Sequence, residues 1–377
     1  MTQDRLRILI VSYRDLKHPE QGGAEVIIHE VYRRMRAKGH EVTFLTCRFP
    51  GGRDRDEIDG MPIHRIGNLY DFNFRTSAYI KKEFAGKIDV VVEDLNKLPF
   101  YTPRFTDLPV LVNIPHLFGT TVFQQAAFPL ATYVFLQEKL IPSVYGNCEF
   151  QVLSESTRGD LEKRGIPPKQ LHVVKTGIDH DYYRPAERNG TQPGPILLYL
   201  GRLKKYKCIE FPIDILPSLA KKHPDVEYWI AGEGDYRDAL AARAREKGVS
   251  DRVKLLGYVE GKEKKDLLDR TRVLCYTSPK EGWGLSVIEA NAVGVPCVAS
   301  NSPGLCEAVR DGETGYLVPH GDLPALERRI DDFLSDPELW EQFSKRGMEW
   351  ADEFHWDKMT DQTEALLRLA ITRHRKA

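Results

Sequence analysis

Short apolar runs recur along this chain, separated by longer stretches with helical spacing. That alternation constrains the fold more than any other feature. In the N-terminal half the runs cover residues 7–12, 41–46, 89–93, 109–113 and 150–154; in the C-terminal half they cover 196–200, 226–231, 253–256, 273–276 and 296–300. A strand that is apolar at nearly every position needs cover on both faces, so such runs alternating with helices predict parallel sheets in an α/β fold. The first helix is expected over residues 24–38, with Ile27, Ile28, Val31 and Met35 at helical spacing and Gly39 as its C-terminal cap. At 377 residues the chain has room for two domains. The polar, Pro- and Gly-rich segment 184–195 reads as the linker, giving an N-terminal domain over 1–187 and a C-terminal domain over 193–354. Beyond residue 322 the chain reads as amphipathic helix. Asn189-Gly-Thr191 matches a glycosylation sequon, which has no role in a cytoplasmic protein.

Composition removes several function classes. With 54 basic and 55 acidic residues, nothing argues for nucleic acid. Six cysteines, at 47, 148, 208, 275, 297 and 306, form no C-x-x-C pair, and four lie in or beside apolar runs, which fits a reducing cytoplasmic compartment. The first residues lead straight into a strand, so no signal peptide is expected. Residues 108–137 carry no charge, but Pro109, Asn113, Pro115, His116, Gly119 and Pro129 interrupt them. A strand, a loop and a helix are expected there, not a membrane span. Two D-x-D triplets, Asp54 to Asp56 and Asp179 to Asp181, are assigned to structure, the first to a solvated loop over 51–57. No His, Cys and Asp cluster has metal-ligand spacing, and no G-x-S-x-G is present.

Residues 281–289 carry the strongest chemical signal. Glu281 and Glu289 stand eight positions apart, with Gly282, Trp283, Gly284 and Leu285 between them and an apolar run before the second. Glu281 is expected on a loop at the carboxyl end of a strand, where open α/β sheets bind ligands. Gly282 and Gly284 let backbone N–H groups approach a ligand, and the helix that follows offers its positive end to an anion. Glu289 can accept two hydroxyl hydrogen bonds, as a ribose would offer. Arg202 and Lys207 follow the strand over 196–200 and can both reach an anion at the same strand end. Gly22 and Gly23 open the first helix and suit a phosphate, or else a loop that needs positive φ. Gly232 and Gly234 read as a tight turn. His116 ends the strand over 109–113, with a structural role as its alternative. Glu138 and Lys139 read as surface or interdomain groups. The aromatics of 117–136 read first as helix core, and otherwise as greeting a lipid or aromatic acceptor.

Residues 281–300 resemble the E-x7-E signature of retaining nucleotide-sugar glycosyltransferases of family 4. Residues 303–319, Gly22 to Glu25, Lys38 to Val42, and Gly201 to Leu203 with Lys207 are similar to that family and stand in its order, from about residue 8 to 356. The resemblance implies the GT-B fold, two Rossmann-like domains with parallel sheets facing across a cleft, and a last helix over about 355–377 that packs back on the N-terminal domain. It implies that Arg202 and Lys207 bind the donor phosphates, Glu281 the sugar hydroxyls and Glu289 the ribose. Backbone groups of Gly282, Trp283, Gly284 and Leu285 would assist. The strand end with Tyr258 would contact the base through backbone groups, Gly22 and Gly23 would face the diphosphate and the acceptor, and His116 would stand beside the donor sugar. Cys208 departs from the family's usual glycine after the lysine, which leaves the start of the next helix open. The implied reaction moves a hexosyl-type group, with retention and without metal or cofactor, from a nucleotide sugar to a glycan, lipid-linked or small-molecule acceptor. UDP-sugar is the first expectation for the donor and GDP-sugar the second. A role in glycan, glycolipid or glycosylated natural product synthesis follows, in the cytoplasm, with contact to the inner face of the membrane left open. A sugar-nucleotide epimerase or hydrolase on the same fold and a non-catalytic binder are the alternatives.

Overall fold

The computed structural model describes residues 5–96, 98–124, 127–186 and 192–375. The chain divides into two compact units, one of residues 1–177 with 356–377, the other of residues 178–355. Part of the expected linker, and the sequon at Asn189 to Thr191, lie outside the described residues.

The first unit contains β1 (Arg7–Val11), β2 (Glu41–Cys47), β3 (Arg55–Ile58), β4 (Met61–Ile66), β5 (Val90–Asp94), β6 (Val110–Ile114), β7 (Glu149–Val152) and β8 (Leu171–Val173). They form one sheet in the order β3-β4-β2-β1-β5-β6-β7-β8. Among the described residues only β3 runs antiparallel to its neighbour. Burial explains the apolar runs: Ile8, Leu9, Ile10 and Val11 are all fully buried, so both faces of β1 are covered. The helix Gly23–Ala37 buries Ile27, Ile28, Val31 and Met35, and Gly39 takes φ of 98° just beyond it. The helix Trp356–His374 belongs to this unit and packs on Gly23–Ala37 and against β5, β6 and β7.

The solvated loop expected over 51–57 is half strand. Its second half is β3, joined to β4 through Asp59 and Gly60 at φ of 49° and 75°, the left-handed pair of a tight hairpin turn. Asp56 accepts from Lys17 Nζ at 2.8 Å and from Arg65 Nη1 at 3.0 Å. Arg65 is buried and also grips Asp15 with two bonds of 2.7 and 2.9 Å, which pins the loop after β1.

The second unit contains β9 (Ile196–Leu200), β10 (Glu227–Ala231), β11 (Val253–Gly257), β12 (Val273–Tyr276), β13 (Cys297–Ser300) and β14 (Gly315–Val318), all parallel, in the order β11-β10-β9-β12-β13-β14. Each sheet has one place where the strand order reverses: between β1 and β5 in the first, and between β9 and β12 in the second. Open α/β sheets leave a crevice at the carboxyl ends of such strands.

Residues 108–137 form β6, a short 3-10 turn at Gly119–Gln124 and most of the helix Phe128–Lys139. Among the described residues no helix is long and apolar enough to cross a membrane. Of the aromatics expected as helix core over 117–136, Phe118 and Phe135 are half-buried and none is fully buried. Phe123, Phe128, Leu130, Tyr133 and Leu136 are exposed, and the helix buries only Ala131 and Glu138.

Candidate functional site

At the switch point of the second sheet, two loops bring Lys207 and Glu281 together across 74 residues of sequence. Lys207 leaves the loop after β9 and is buried; its ammonium ion-pairs with the Glu281 carboxylate, which comes from the loop after β12. Burial by itself would lower the Lys207 pKa. The Glu281 charge more than reverses that and holds the ammonium above the ordinary lysine range. The Lys207 Nζ also lies 5.1 Å from the centre of the Tyr206 ring and 5.7 Å from that of Tyr276. Arg202 stands exposed on the same loop, and among the described residues its guanidinium has no ion-pair partner. The site therefore offers one shielded cation, one open cation and one carboxylate at a single strand edge.

Local backbone chemistry shapes these loops. Cys208 adopts φ of 52°, a left-handed conformation that glycine takes freely and a cysteine does not. This accounts for the glycine usual at that position in the resembling family, and the next helix starts two residues on, at Glu210. Thr277 Oγ1 donates to the Cys208 carbonyl at 2.7 Å and ties the two loops together. Gly232 and Gly234 make the expected tight turn. A Cβ on either would come within 1.9–2.1 Å of the carbonyls of Gly201 and Leu203, so the loops after β9 and β10 stack backbone to backbone.

Beyond Glu281, Gly284 has φ of 147° and caps the helix Leu285–Ala292. The Trp283 side chain is buried, its ring 5.7 Å from Phe354, so only its backbone remains for a ligand. Glu289 is buried and already engaged. Tyr183 Oη donates to Oε1 at 2.7 Å, and Lys264 Nζ donates to Oε2 at 2.6 Å. Neither partner was legible in the sequence, because Tyr183 lies 106 residues away and Lys264 sits in a run of charges. Each carboxylate oxygen keeps a second lone pair for a hydroxyl. Tyr258 stands exposed past the end of β11.

In the first unit the switch point carries different chemistry. Asp94 closes β5 and is fully buried. It accepts from Ser12 Oγ at 2.8 Å, Asn113 Nδ2 at 2.8 Å and Asn96 Nδ2 at 3.0 Å. Burial raises its pKa to about 7 against those hydrogen bonds. Gly22 and Gly23 open the helix Gly23–Ala37 nearby in the chain. The expectation of positive φ fails there, since Gly22 is extended at −154° and Gly23 is helical. A Cβ on Gly23 would meet nothing within 4 Å, so this glycine leaves open space above the helix end. His116 is half-buried, 5.3 Å from the Phe118 ring. Its loop is held by Glu138, expected as a surface or interdomain group and found buried. Both Glu138 carboxylate oxygens accept backbone N–H groups, from Phe118 at 2.7 Å and Gly119 at 2.9 Å. The two D-x-D triplets stay structural: Asp54 pairs with Arg48, Asp56 with Lys17 and Arg65, and Asp179 Oδ1 accepts the N–H groups of Asp181 and Tyr182.

Two parallel-sheet α/β units, with charged loops at the second switch point, define a protein of the GT-B fold. Similarity searches agree. Residues 21–182 match the family model for Glycosyltransferase Family 4, and residues 185–350 match that for Glycosyl transferases group 1. Each half of the chain thus matches a glycosyltransferase family model of its own. It is 32% identical to glycogen synthase of Mycobacterium tuberculosis over 52% of this chain and 47% of that one. It is 30% identical to the GDP-mannose-dependent alpha-(1-6)-phosphatidylinositol monomannoside mannosyltransferase of Mycolicibacterium smegmatis, over 54% and 58%. The matches thus span about half the length of these curated relatives. Among solved structures, sucrose-phosphate synthase from Thermosynechococcus elongatus superposes with a TM-score of 0.84 at 22% identity, over 98% of this chain and all of that one.

Proposed function

We propose that this chain is a retaining, metal-independent glycosyltransferase that moves a hexosyl-type group from a nucleoside diphosphate sugar to an acceptor hydroxyl. The observation that supports it is the Lys207–Glu281 pair beside Arg202 at the second switch point. An incoming diphosphate competes with Glu281 for Lys207. Lys207 and Arg202 then face the phosphates, and Glu281 turns its acceptors to the sugar hydroxyls. Glu289 takes the ribose diol on its remaining lone pairs. The bond from the anomeric carbon to phosphate oxygen breaks, and the acceptor oxygen forms the new bond on the same face. The acceptor's proton passes to the departing phosphate oxygen. Charge grows on that phosphate in the transition state, so fixed cations there lower the barrier more than they tighten donor binding. No metal is required in this scheme, because Lys207, Arg202 and the end of the helix Leu285–Ala292 meet the charge.

The first unit is assigned the acceptor side, where Gly22 and Gly23 serve the donor diphosphate and the acceptor and His116 serves the donor sugar. The names of the relatives include both a polysaccharide synthase and a mannosyltransferase acting on a phosphatidylinositol mannoside, so glycan and lipid-linked hydroxyls head the acceptor panel. UDP-sugar is the first donor to test and GDP-sugar the second. A ligand at 100 times its Kd adds about 2.7 kcal/mol of apparent stability, so a thermal-shift panel of nucleoside diphosphates picks out the base. The deciding experiment supplies that donor labelled in the sugar and reads the product by NMR. A new glycosidic bond with the donor's anomeric configuration is expected. Free sugar alone, an epimerised donor, an inverted product, or loss of transfer in EDTA that Mg²⁺ restores would each overturn part of the reading.

A further inference from the structure

One surface of the first unit reverses the usual placing of apolar side chains. On the helix Phe128–Lys139, Phe128 is 75% exposed, and Leu130, Tyr133 and Leu136 stand out with it. The surface continues past this helix. Leu140 is exposed at its end, and the short helix Ile141–Tyr145 packs both on it and on the helix Thr102–Phe105. Phe105 is exposed there, and a cleft lined by Thr76, Ile80, Thr102 and Phe105 joins that helix to Phe72–Phe84. The helix Phe72–Phe84 also carries Phe74, 70% exposed, with Tyr70 just before it. An apolar belt across four neighbouring helices is more than scattered exposure, and marks a surface that something covers.

The charges on the belt say what. Arg75, Lys81, Lys82, Arg104 and Lys139 are exposed among the apolar residues. Of the acids, Glu138 is buried against backbone N–H groups, Asp71 is paired with Arg75, half-buried Glu83 lies 3.8 Å from Lys82, and Asp107 is exposed, so the five cations still outnumber the acids that face solvent. A second copy of the chain meeting this face by two-fold symmetry would set the same cations against each other. An anionic lipid surface meets both features at once. Aromatic and aliphatic tips sink to the acyl boundary, while ammonium and guanidinium heads reach the phosphates. The tyrosines suit the interface between the two.

We propose that this belt of the first unit, centred on the helix Phe128–Lys139, docks the protein on a bilayer bearing anionic lipid, lying in the interface without crossing it. The proposal does not rest on the glycosyl-transfer reading, and its test needs no donor. The full chain is sedimented with phosphatidylcholine vesicles and with vesicles in which about one lipid in four is phosphatidylglycerol. Binding is expected to the second and much less to the first, and to weaken as salt is raised. A Phe128→Ser, Leu136→Ser double variant, whose side chains are exposed and whose fold circular dichroism can check, should lower the partition coefficient roughly tenfold. A Lys81→Glu, Lys82→Glu variant should remove most of the preference for phosphatidylglycerol. Failure of the wild type to sediment, equal binding to both vesicles, or full binding by the serine variant would overturn the proposal. So would a dimer in solution that the serine variant abolishes, since a second copy would then be the occupant.

Discussion

The two switch points share a topology and differ in electrostatics. In the second unit a buried lysine and a carboxylate face each other, with an exposed arginine on the same loop. In the first, a buried carboxylate is surrounded by the hydroxyl of Ser12 and the amides of Asn96 and Asn113, with no cation among them. A charged pair can be opened by a ligand that brings its own charge. A carboxylate solvated by neutral donors is a fixed scaffold that burial biases toward the protonated form. The comparison teaches that the same crevice can be built either to exchange partners or to hold a shape.

Removing the lysine breaks the comparison most severely. Lys207→Ala should lower kcat/KM by roughly 10²-fold or more, because the leaving diphosphate loses its shielded cation. Steady-state kinetics on a variant shown to be folded checks this. Glu281→Gln sharpens the same point. It frees Lys207, so calorimetry should find nucleoside diphosphate bound as tightly as before or tighter, while transfer collapses. Glu289→Gln should instead weaken nucleoside diphosphate itself, by about 1–3 kcal/mol. Equal weakening in both variants would show that the two roles are divided wrongly.

Asp94 tests the other side. Its pKa rises on folding from the ordinary 3.8 to about 7, so its contribution to stability is complete below the lower value and is lost as pH rises through the upper. Asp94→Asn cannot titrate. Wild-type stability relative to this variant should therefore fall by about 2–3 kcal/mol between about pH 5 and about pH 8. Glu25 on the helix Gly23–Ala37 also faces Asp94 and is present in both proteins. A difference that is flat with pH, read from denaturant melts, would show that Asp94 stays ionised.

Glu138→Ala should cost about 2 kcal/mol, since two backbone N–H groups of the His116 loop lose a charged acceptor. Chemical denaturation measures it, and faster amide exchange at Phe118 and Gly119 should accompany it. The smallest change is expected at Cys208→Gly. Relief of the left-handed strain offsets the greater chain entropy of glycine, leaving stability within about 1 kcal/mol of wild type. A larger loss would mean that the thiol packs usefully.

Strands that are apolar on both faces were legible in the sequence because burial itself writes them. β3 was not, since an edge strand with alternate residues exposed reads as a polar loop; the Asp59-Gly60 pair was the available signal for its hairpin. The motif residues Arg202, Lys207, Glu281 and Glu289 could be picked from spacing and resemblance. Their partners could not. Nothing local says that Lys207 meets Glu281 or that Lys264 and Tyr183 meet Glu289, because those contacts are made by loops of separate strands. Composition also misplaced two groups in opposite directions. Glu138 read as a surface or interdomain group and is buried within the first unit, because backbone N–H groups satisfy its charge. The Phe128–Lys139 helix looked like core and is exposed, because hydropathy records what a side chain prefers and not whether a neighbour is there to cover it.

The helix Trp356–His374 completes the first unit, yet it is synthesised only after residues 178–355 have been made. At about 5–20 residues per second on a ribosome, the first unit would wait roughly ten to thirty-five seconds for its last piece. Throughout that interval the faces of Gly23–Ala37 and of β5 to β7 that this helix covers stand bare. The order of the polypeptide thus sets an order of assembly, in which the unit begun first is the one finished last.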